Sequence, residues 1–236
     1  MSSHMSVACG SSISSLKSST KAAMIFGCPA CKSTFLLTTQ PHACLTTSID
    51  FSKGLHMEAD GKQGQEGSPE LSLRPLDLSD IDDFMVWATD DKVSRFCTWD
   101  TYTSKEAGID YIKNIVIPHP WFKAICLDNK AIGSIFVSAN NGNDRCRGEL
   151  GYALASKYWG KGIVTRAVKM VASSIFNEWP HLERLEALVD VENGGSQRVL
   201  EKVGFQREGV LRKFVILKGR CRDLVIYSLL STDPQP

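Results

Sequence analysis

The stretch from Lys157 to Gly162 (Lys-Tyr-Trp-Gly-Lys-Gly) has two glycines set two residues apart. It follows a predicted strand, Glu149 to Leu154, and precedes a helical apolar pattern from about Ile163 to Phe176. Glycine lets a backbone pass close to a bulky anion, and the unpaired N–H groups and positive dipole end of a starting helix attract negative charge. The pattern therefore predicts a site for a phosphate-bearing cofactor.

Two common nucleotide-binding motifs do not fit this stretch. A Walker loop has four residues between its glycines and then Gly-Lys-Ser/Thr, and a dinucleotide fingerprint has a third Gly or Ala where this chain has Thr165. A plain tight turn before a helix also explains a Gly-x-Gly of this length. The flanking sequence must therefore decide between a cofactor loop and a turn.

Three motifs together resemble one family. The stretch from Lys157 to Gly162 resembles the pyrophosphate loop Gln/Arg-x-x-Gly-x-Gly/Ala of the GNAT superfamily of acetyl-CoA-dependent N-acetyltransferases, with Lys157 as its first residue. Glu-Leu-Gly-Tyr-Ala-Leu, from Glu149 to Leu154, is similar to the fourth strand of its RimJ/RimL-like branch. The segment from Val191 to Phe205 is similar to that branch's Asn-x-x-Ser followed by Gly-Phe. The resemblance covers residues from about 71 to 230.

The resemblance implies a reaction and a set of residues. It implies that acetyl-CoA binds and that its acetyl group passes to a primary amine, of a protein N-terminus or a small molecule, by direct attack in a ternary complex. Glu149 would be the general base, with a pKa raised by partial burial, and Ser196 the general acid, while Trp99 and Asp100 would contact the acceptor. The implied cofactor contacts are Tyr152, Ala153, Leu154, Lys157, Gly160, Lys161, Gly162, Ile163 and Asn193.

Each of these assignments has a structural alternative. Glu149 could form a surface salt bridge, and Asn193 could be a turn residue. Ser196 could cap a helix that begins at Gln197, a role that serine often fills. Trp99 and Asp100 could be an aromatic anchor and a surface acid.

Two other functions compete with catalysis of acetyl transfer. A non-catalytic, regulatory acyl-CoA-binding protein on the same fold is compatible with Lys157, which keeps a donor but lacks the fork of an arginine. A hydrolase using Cys97 and His119 would need a local motif that the sequence does not contain.

The periodicity of the remaining chain predicts elements in the order βααβββαβαββ, similar to the GNAT fold. The predicted fold class is α/β (α+β), with a mixed, mostly antiparallel sheet flanked by helices. Ser79 and Thr103 resemble the first residues of two capping boxes. Other predicted elements are a hairpin of Phe122 to Leu127 and Ile132 to Ser138, a helix from Gln197 to Val203, and a final hairpin of Phe214 to Leu217 and Leu224 to Leu229.

Composition divides the chain into residues 1–56, a Ser/Thr-rich extension; 57–70, a linker rich in glycine and acids; and 71–231, the N-acetyltransferase domain. The extension has no acid before Asp50, which resembles an organelle transit peptide. A disordered tail, or a leader with Met57 as the physiological start, explains it equally. We expect an intracellular protein, in the cytoplasm or in a plastid or other organelle.

Charge and cysteine usage limit the partners. Residues 1–56 carry four lysines and one aspartate, +3, so the total of +1 leaves −2 for the rest, which argues against nucleic-acid binding. No apolar run approaches the roughly 18 to 20 residues of a membrane span. Cys28, Cys31, His42 and Cys44 have the types of ligand found in zinc sites, but an accidental Cys-x-x-Cys competes, and we predict no metal. Oligomeric state is not encoded in the periodicity.

Overall fold

A computed structural model describes residues 69–236 of the 236-residue chain. The predictions about the extension, nearly all of the linker and the zinc ligands of residues 28–44 therefore lie outside the described residues.

A seven-stranded mixed sheet forms the centre of the described residues, in the order β1-β2-β3-β4-β5-β7-β6. All neighbouring strands are antiparallel except β4 and β5, which are parallel. The strands are β1 (Leu71–Pro75), β2 (Phe122–Leu127), β3 (Lys130–Ala139), β4 (Arg147–Leu154), β5 (Arg184–Asp190), β6 (Gln206–Leu217) and β7 (Arg220–Leu230). The predicted fold class is confirmed, and the final hairpin is longer than predicted.

Helices cover both faces of this sheet. They are α1 (Ile81–Ala88), α2 (Asp91–Ser94), α3 (Lys105–Tyr111), α4 (Ile163–Glu178) and α5 (Gly194–Val203). α4 and α5 share one core cluster with the sheet, whereas α1 and α2 pack in a second cluster on its other side. Within residues 69–236, no helix combines the length and apolarity needed to cross a bilayer.

Both predicted capping boxes are wrong in position. Asp77 caps the 3-10 turn before α1, because its carboxylate accepts from the Ser79 N–H while the Asp80 carboxylate accepts from the Asp77 N–H. Ser104 caps α3 by accepting from the Ala107 N–H at 3.2 Å. In each case a residue one or two positions away from the predicted one has the extended backbone that a cap requires.

The β2–β3 hairpin agrees with its turn composition. Asp128 and Asn129 both adopt positive φ, 49° and 64°. A two-residue hairpin turn of this kind requires positive φ at both positions, because its twist must match that of the flanking strands. β2 and β3 pair from Phe122 to Leu127, and β3 then pairs along β4. The hairpin thus holds β4 in the middle of the sheet.

The pairing of β4 with β5 is short. Only Arg147, Gly148 and Glu149 of β4 are in register with β5, where their partners are Arg184, Leu185 and Glu186. Both strands continue beyond this point, β4 to Leu154 and β5 to Asp190. The sheet therefore opens between the carboxyl ends of β4 and β5.

Candidate active site

A cavity of about 770 Å³ occupies this opening. Its walls come from β4, the loop after it, the first turn of α4, β5, the start of α5 and the segment between α2 and α3. Ten of the predicted site residues line it: Trp99, Glu149, Tyr152, Ala153, Leu154, Gly160, Gly162, Ile163, Asn193 and Ser196. The structure thus brings together residues that are almost 100 positions apart in sequence.

The glycine loop has the conformation that its sequence suggests. Gly160 and Gly162 adopt φ of +76° and +72°, in the left-handed region that favours glycine. A Cβ atom built on either residue would meet no atom within 4 Å, so both face open space. Gly162 is the N-cap of α4 and no side chain caps this helix. The first amides of a 16-residue helix therefore point toward the cavity with the positive end of its dipole.

Three predicted residues do not line the cavity: Lys157, Lys161 and Asp100. The ammonium groups of Lys157 and Lys161 lie 5.2 and 5.5 Å from the centre of the Tyr158 ring. Asp100 accepts at 2.8 Å from Lys218, whose ammonium group also donates to the Trp99 carbonyl. This ion pair and this hydrogen bond hold the α2–α3 segment against the tip of the β6–β7 hairpin.

Glu149 is the last β4 residue that pairs with β5 and the first residue of the opening. Burial raises the pKa of its carboxyl group, and the neighbouring Glu186 carboxylate raises it further. Glu149 forms no ion pair within residues 69–236, so the alternative of a surface salt bridge has no support in the described contacts. A partly buried carboxylate with a raised pKa is suited to accept a proton near neutral pH.

The carboxylate beside Glu149 is itself held by arginines. Glu186 is buried and pairs with Arg147 at 3.3 Å and with Arg184 at 2.8 Å. Arg184 also binds Glu208 on β6 at 2.6 Å. These hydrogen bonds satisfy the Glu186 carboxylate in the sheet, where a buried polar group without partners would be costly.

The start of α5 corrects one prediction about Ser196. The Asn193 side chain accepts from the Ser196 N–H at 3.1 Å, so Asn193 is the N-cap and the helix begins at Gly194, not at Gln197. Ser196 therefore lies in the first turn rather than at the cap. Its side chain lines the cavity, free of the capping role.

The side chain of Tyr152 has a role that the sequence analysis missed. Its hydroxyl donates to the Ser196 carbonyl at 3.3 Å and so links β4 to α5 across the opening. Burial raises the pKa of Tyr152 to about 12, so the hydroxyl keeps its proton at neutral pH. The sequence analysis gave Tyr152 only as an implied cofactor contact.

Aromatic rings line the other side of the cavity. Trp99 is buried, as an aromatic anchor would be, and its ring centre lies 5.8 Å from that of Tyr102. Phe136 lies over Gly151, where a Cβ atom would come within 2.2 Å of the ring, and stacks on Phe122 at 5.6 Å. Besides Trp99, the aromatic residues of this wall are Phe84, Trp87, Phe96, Tyr102, Tyr111, Phe122 and Phe136. The sequence analysis missed this cluster, because its residues are spread over several elements and share no regular spacing.

Cys97 and His119 do not form a nucleophilic pair. The Cys97 thiol donates to the Val93 carbonyl at 3.3 Å, and burial raises its pKa to about 12, which disfavours a thiolate. His119 accepts from the Trp121 N–H through Nδ1, and its Nε2 is 3.0 Å from the Ser138 hydroxyl. The described contacts therefore give the hydrolase hypothesis no support.

The opened mixed sheet, with an uncapped helix at its mouth, forms the candidate cofactor site. Residues 70–206 match the family model described as "Acetyltransferase (GNAT) domain". The chain therefore belongs to the GNAT acetyltransferase family, a family of acyltransferases.

Its relatives include members of the RimJ/RimL-like branch. The chain is 29% identical over 172 residues to the N-acetyltransferase p20 of Bacillus licheniformis, covering 69% of this chain and 94% of that protein. It is 30% identical to the [ribosomal protein uS5]-alanine N-acetyltransferase of Escherichia coli over 87 residues, 37% of this chain and 44% of that protein. Mycobacterium smegmatis RimJ, solved in complex with CoA-disulfide, superposes with a TM-score of 0.59 at 25% identity, over 68% of this chain and 82% of that one.

Proposed function

We propose that the protein is an acetyl-CoA-dependent N-acetyltransferase that acts on a primary amine by direct transfer in a ternary complex. The observation that carries this proposal is the opening between β4 and β5, with uncapped helix amides at one end and the partly buried Glu149 carboxyl group at the other. Family membership supports the same activity. The predicted domain, residues 71–231, remains part of the proposal.

The residues at the opening fit acetyl-CoA. The amides from Gly160 to Ile163 can donate to a diphosphate, because both glycines face open space and no side chain caps α4. β4 has no register partner on β5 beyond Glu149, so the Tyr152 backbone can hydrogen-bond an extended pantetheine chain as an added strand would, whereas the Leu154 carbonyl already accepts from the Trp159 indole at 2.8 Å. Asn193 can contribute its amide nitrogen, since the cap uses only its oxygen. Lys157 and Lys161 would act at longer range.

Bound acetyl-CoA supplies a thioester carbonyl that an unprotonated amine can attack. Glu149 takes the amine proton, directly or through a water molecule, and its raised pKa suits this task. A backbone N–H of β4 donates to the carbonyl oxygen as negative charge develops there. As the new C–N bond forms and the C–S bond breaks, the Ser196 hydroxyl would give a proton to the departing sulfur and take one back from water in the open cavity.

The acceptor enters on the side of the aromatic cluster. Trp99 and its neighbours form an apolar wall beside Glu149, and Asp100 lies outside it at the rim. Primary amines of protein N-termini or small molecules are the proposed acceptors, and the E. coli relative is named for the alanine of ribosomal protein uS5. We propose an intracellular location for this reaction, because the reaction consumes acetyl-CoA and needs a supply of it inside the cell.

Binding is tested by isothermal titration of the full chain with acetyl-CoA. We expect one site and a clear difference between two glycine variants. Gly162→Ala adds a methyl group in the space proposed for the diphosphate, and its Kd should rise by about tenfold or more. Gly142→Ala is the matched control, since Gly142 also has positive φ, +63°, and open surroundings but lies in the β3–β4 loop. Equal Kd values for the two variants would contradict the proposed loop contacts.

Catalysis is tested by CoA release against a panel of peptides and small amines. Glu149→Gln should lower kcat by about 10²-fold to 10⁴-fold without weakening acetyl-CoA binding. Glu106→Gln, on the exposed surface of α3, is the control and should keep full activity. Tight acetyl-CoA binding with no CoA release for any acceptor would instead favour the non-catalytic acyl-CoA-binding protein.

A further inference from the structure

Several positively charged side chains line the cavity. Four positively charged residues line it: Lys92, Arg95, Arg198 and Lys202. Arg95 lies 3.5 Å from Glu192, whereas the other three form no ion pair within residues 69–236. Lys157 and Lys161 do not line the cavity, so the glycine loop faces it with neutral amides alone. Positive side chains are therefore concentrated on other walls, and two of them lie on α5.

Arg198 and Lys202 are one helical turn apart on α5 and both are exposed. Residues at i and i+4 lie on one helix face, and a like-charge pair there destabilises the helix. The guanidinium group of Arg198 reaches back over the start of the helix, where its Nη1 would be 3.4 Å from a Cβ atom on Gly194. Ser196 and Val199 line the cavity from the same helix. The pair thus forms a cationic strip beside the cavity, compatible with an anionic ligand.

The position of the strip narrows the kind of anion. α5 follows β5 directly, and the first turn of α4, with Val164 and Thr165, lines the same cavity. A ligand whose diphosphate lies on the α4 amides would have its nucleotide end between these two helices. A phosphomonoester on that nucleotide carries about −1.5 to −2 charges near pH 7. Neutral amides alone would not neutralise this charge, whereas two cationic side chains can.

We propose that Arg198 and Lys202 bind the 3′-phosphate of acetyl-CoA, so that the protein distinguishes this cofactor from its 3′-dephospho form. The inference rests on the proposed function, since it requires acetyl-CoA in the cavity. Arg198 supplies a planar fork that matches phosphate oxygens, and Lys202 supplies a point charge one turn away. Lys202 also lies in the last turn of α5, where a cation favours the helix dipole, so its effect on stability must be separated from its effect on binding.

The test is a pair of titrations, acetyl-CoA and 3′-dephospho-acetyl-CoA, on the wild type and on the Arg198→Ala/Lys202→Ala variant. We expect the wild type to bind the 3′-phosphorylated form about tenfold more tightly or better. In the variant this ratio should fall close to one, with the Kd of the dephospho form changed by less than about twofold. Because the readout is a ratio of Kd values, it does not depend on knowing the acceptor amine.

Lys169→Ala is the matched control. Lys169 is exposed on α4, forms no ion pair within the described residues and does not line the cavity, so its removal lowers the net charge without touching the strip. This variant should keep the wild-type ratio. Thermal unfolding of each variant without ligand shows whether the substitutions change the stability of the protein.

Two outcomes would overturn the inference while leaving the proposed function intact. One is a wild type that binds both forms equally. The other is a double variant that keeps the wild-type ratio, or that loses affinity for both forms to the same extent. A wild type that binds neither form would overturn the proposed function itself, and the site with it.

Discussion

Replacing Glu186 with glutamine should lower the pKa of Glu149. The two residues are register partners on the parallel strands β4 and β5, and Glu186 is one cause of the raised pKa of Glu149. Removing its negative charge favours the ionised form of its neighbour. Arg147 and Arg184, which lose their common carboxylate, reinforce the change in the same direction.

The size of this effect follows from the strand spacing. Neighbouring strands run about 4.8 Å apart, so the two carboxylates are separated by roughly 6 Å. At an effective dielectric constant of about 20, unit charges at this distance interact by about 2.8 kcal/mol. Two arginines offset much of the Glu186 charge and the cavity admits solvent, so about 1 kcal/mol remains. This corresponds to about a fivefold weaker binding of the proton to Glu149.

Carbon-13 NMR titration of the glutamate carboxyl groups measures this pKa without an acceptor. The Glu149 resonance is assigned by its loss in Glu149→Gln. Glu208→Gln is the matched control, because it removes a carboxylate from Arg184 but lies on β6 rather than beside Glu149. An unchanged or higher Glu149 midpoint in a folded Glu186→Gln protein would refute the proposed electrostatic coupling.

Three further predictions concern stability. Gly151→Ala should lower the free energy of unfolding by about 1 to 3 kcal/mol, because the added methyl group would lie 2.2 Å from the Phe136 ring. Urea titration measures this loss, with Gly209→Ala as the control, since a Cβ atom on Gly209 meets no atom within 4 Å. Equal losses in the two variants would contradict the prediction. Tyr152→Phe should cost about 1 kcal/mol through the lost bond to the Ser196 carbonyl, and an unchanged urea midpoint would exclude this bond as a stabilising link. The Arg74 guanidinium lowers the pKa of buried Asp80, so the stability from this pair is present above about pH 4 and is lost as the pH falls below it. Urea titrations from pH 6 to pH 3 should show this loss in the wild type and in Asp110→Asn, which changes an exposed acid, but less of it in Asp80→Asn.

The sequence predicted the features that depend on local periodicity and on short motifs. Strand β4, helix α4 and the β2–β3 hairpin have strong apolar patterns, and the glycine loop requires the positive φ that only glycine adopts readily. The fold class and the cofactor loop could therefore be read from the residues and the family resemblance. The loop side chains could not, because Lys157 and Lys161 lie beside Tyr158 instead of in the cavity.

Features that depend on tertiary contacts were missed or misplaced. The caps were misassigned because several polar residues precede each helix, and only the backbone angles select Asp77, Ser104 and Asn193. The short α2 helix has too few residues for a periodic pattern. Nothing in sequence spacing predicts the Tyr152–Ser196 link, which joins residues 44 positions apart across the opening.

A crystal structure of the full chain with acetyl-CoA is the most direct test of the central claim. We predict the diphosphate within hydrogen-bonding distance of the amides between Gly160 and Ile163, and the pantetheine chain along β4 in the opening toward β5. Acetyl-CoA bound elsewhere, or β4 and β5 paired along their full length with no space for pantetheine, would contradict the account.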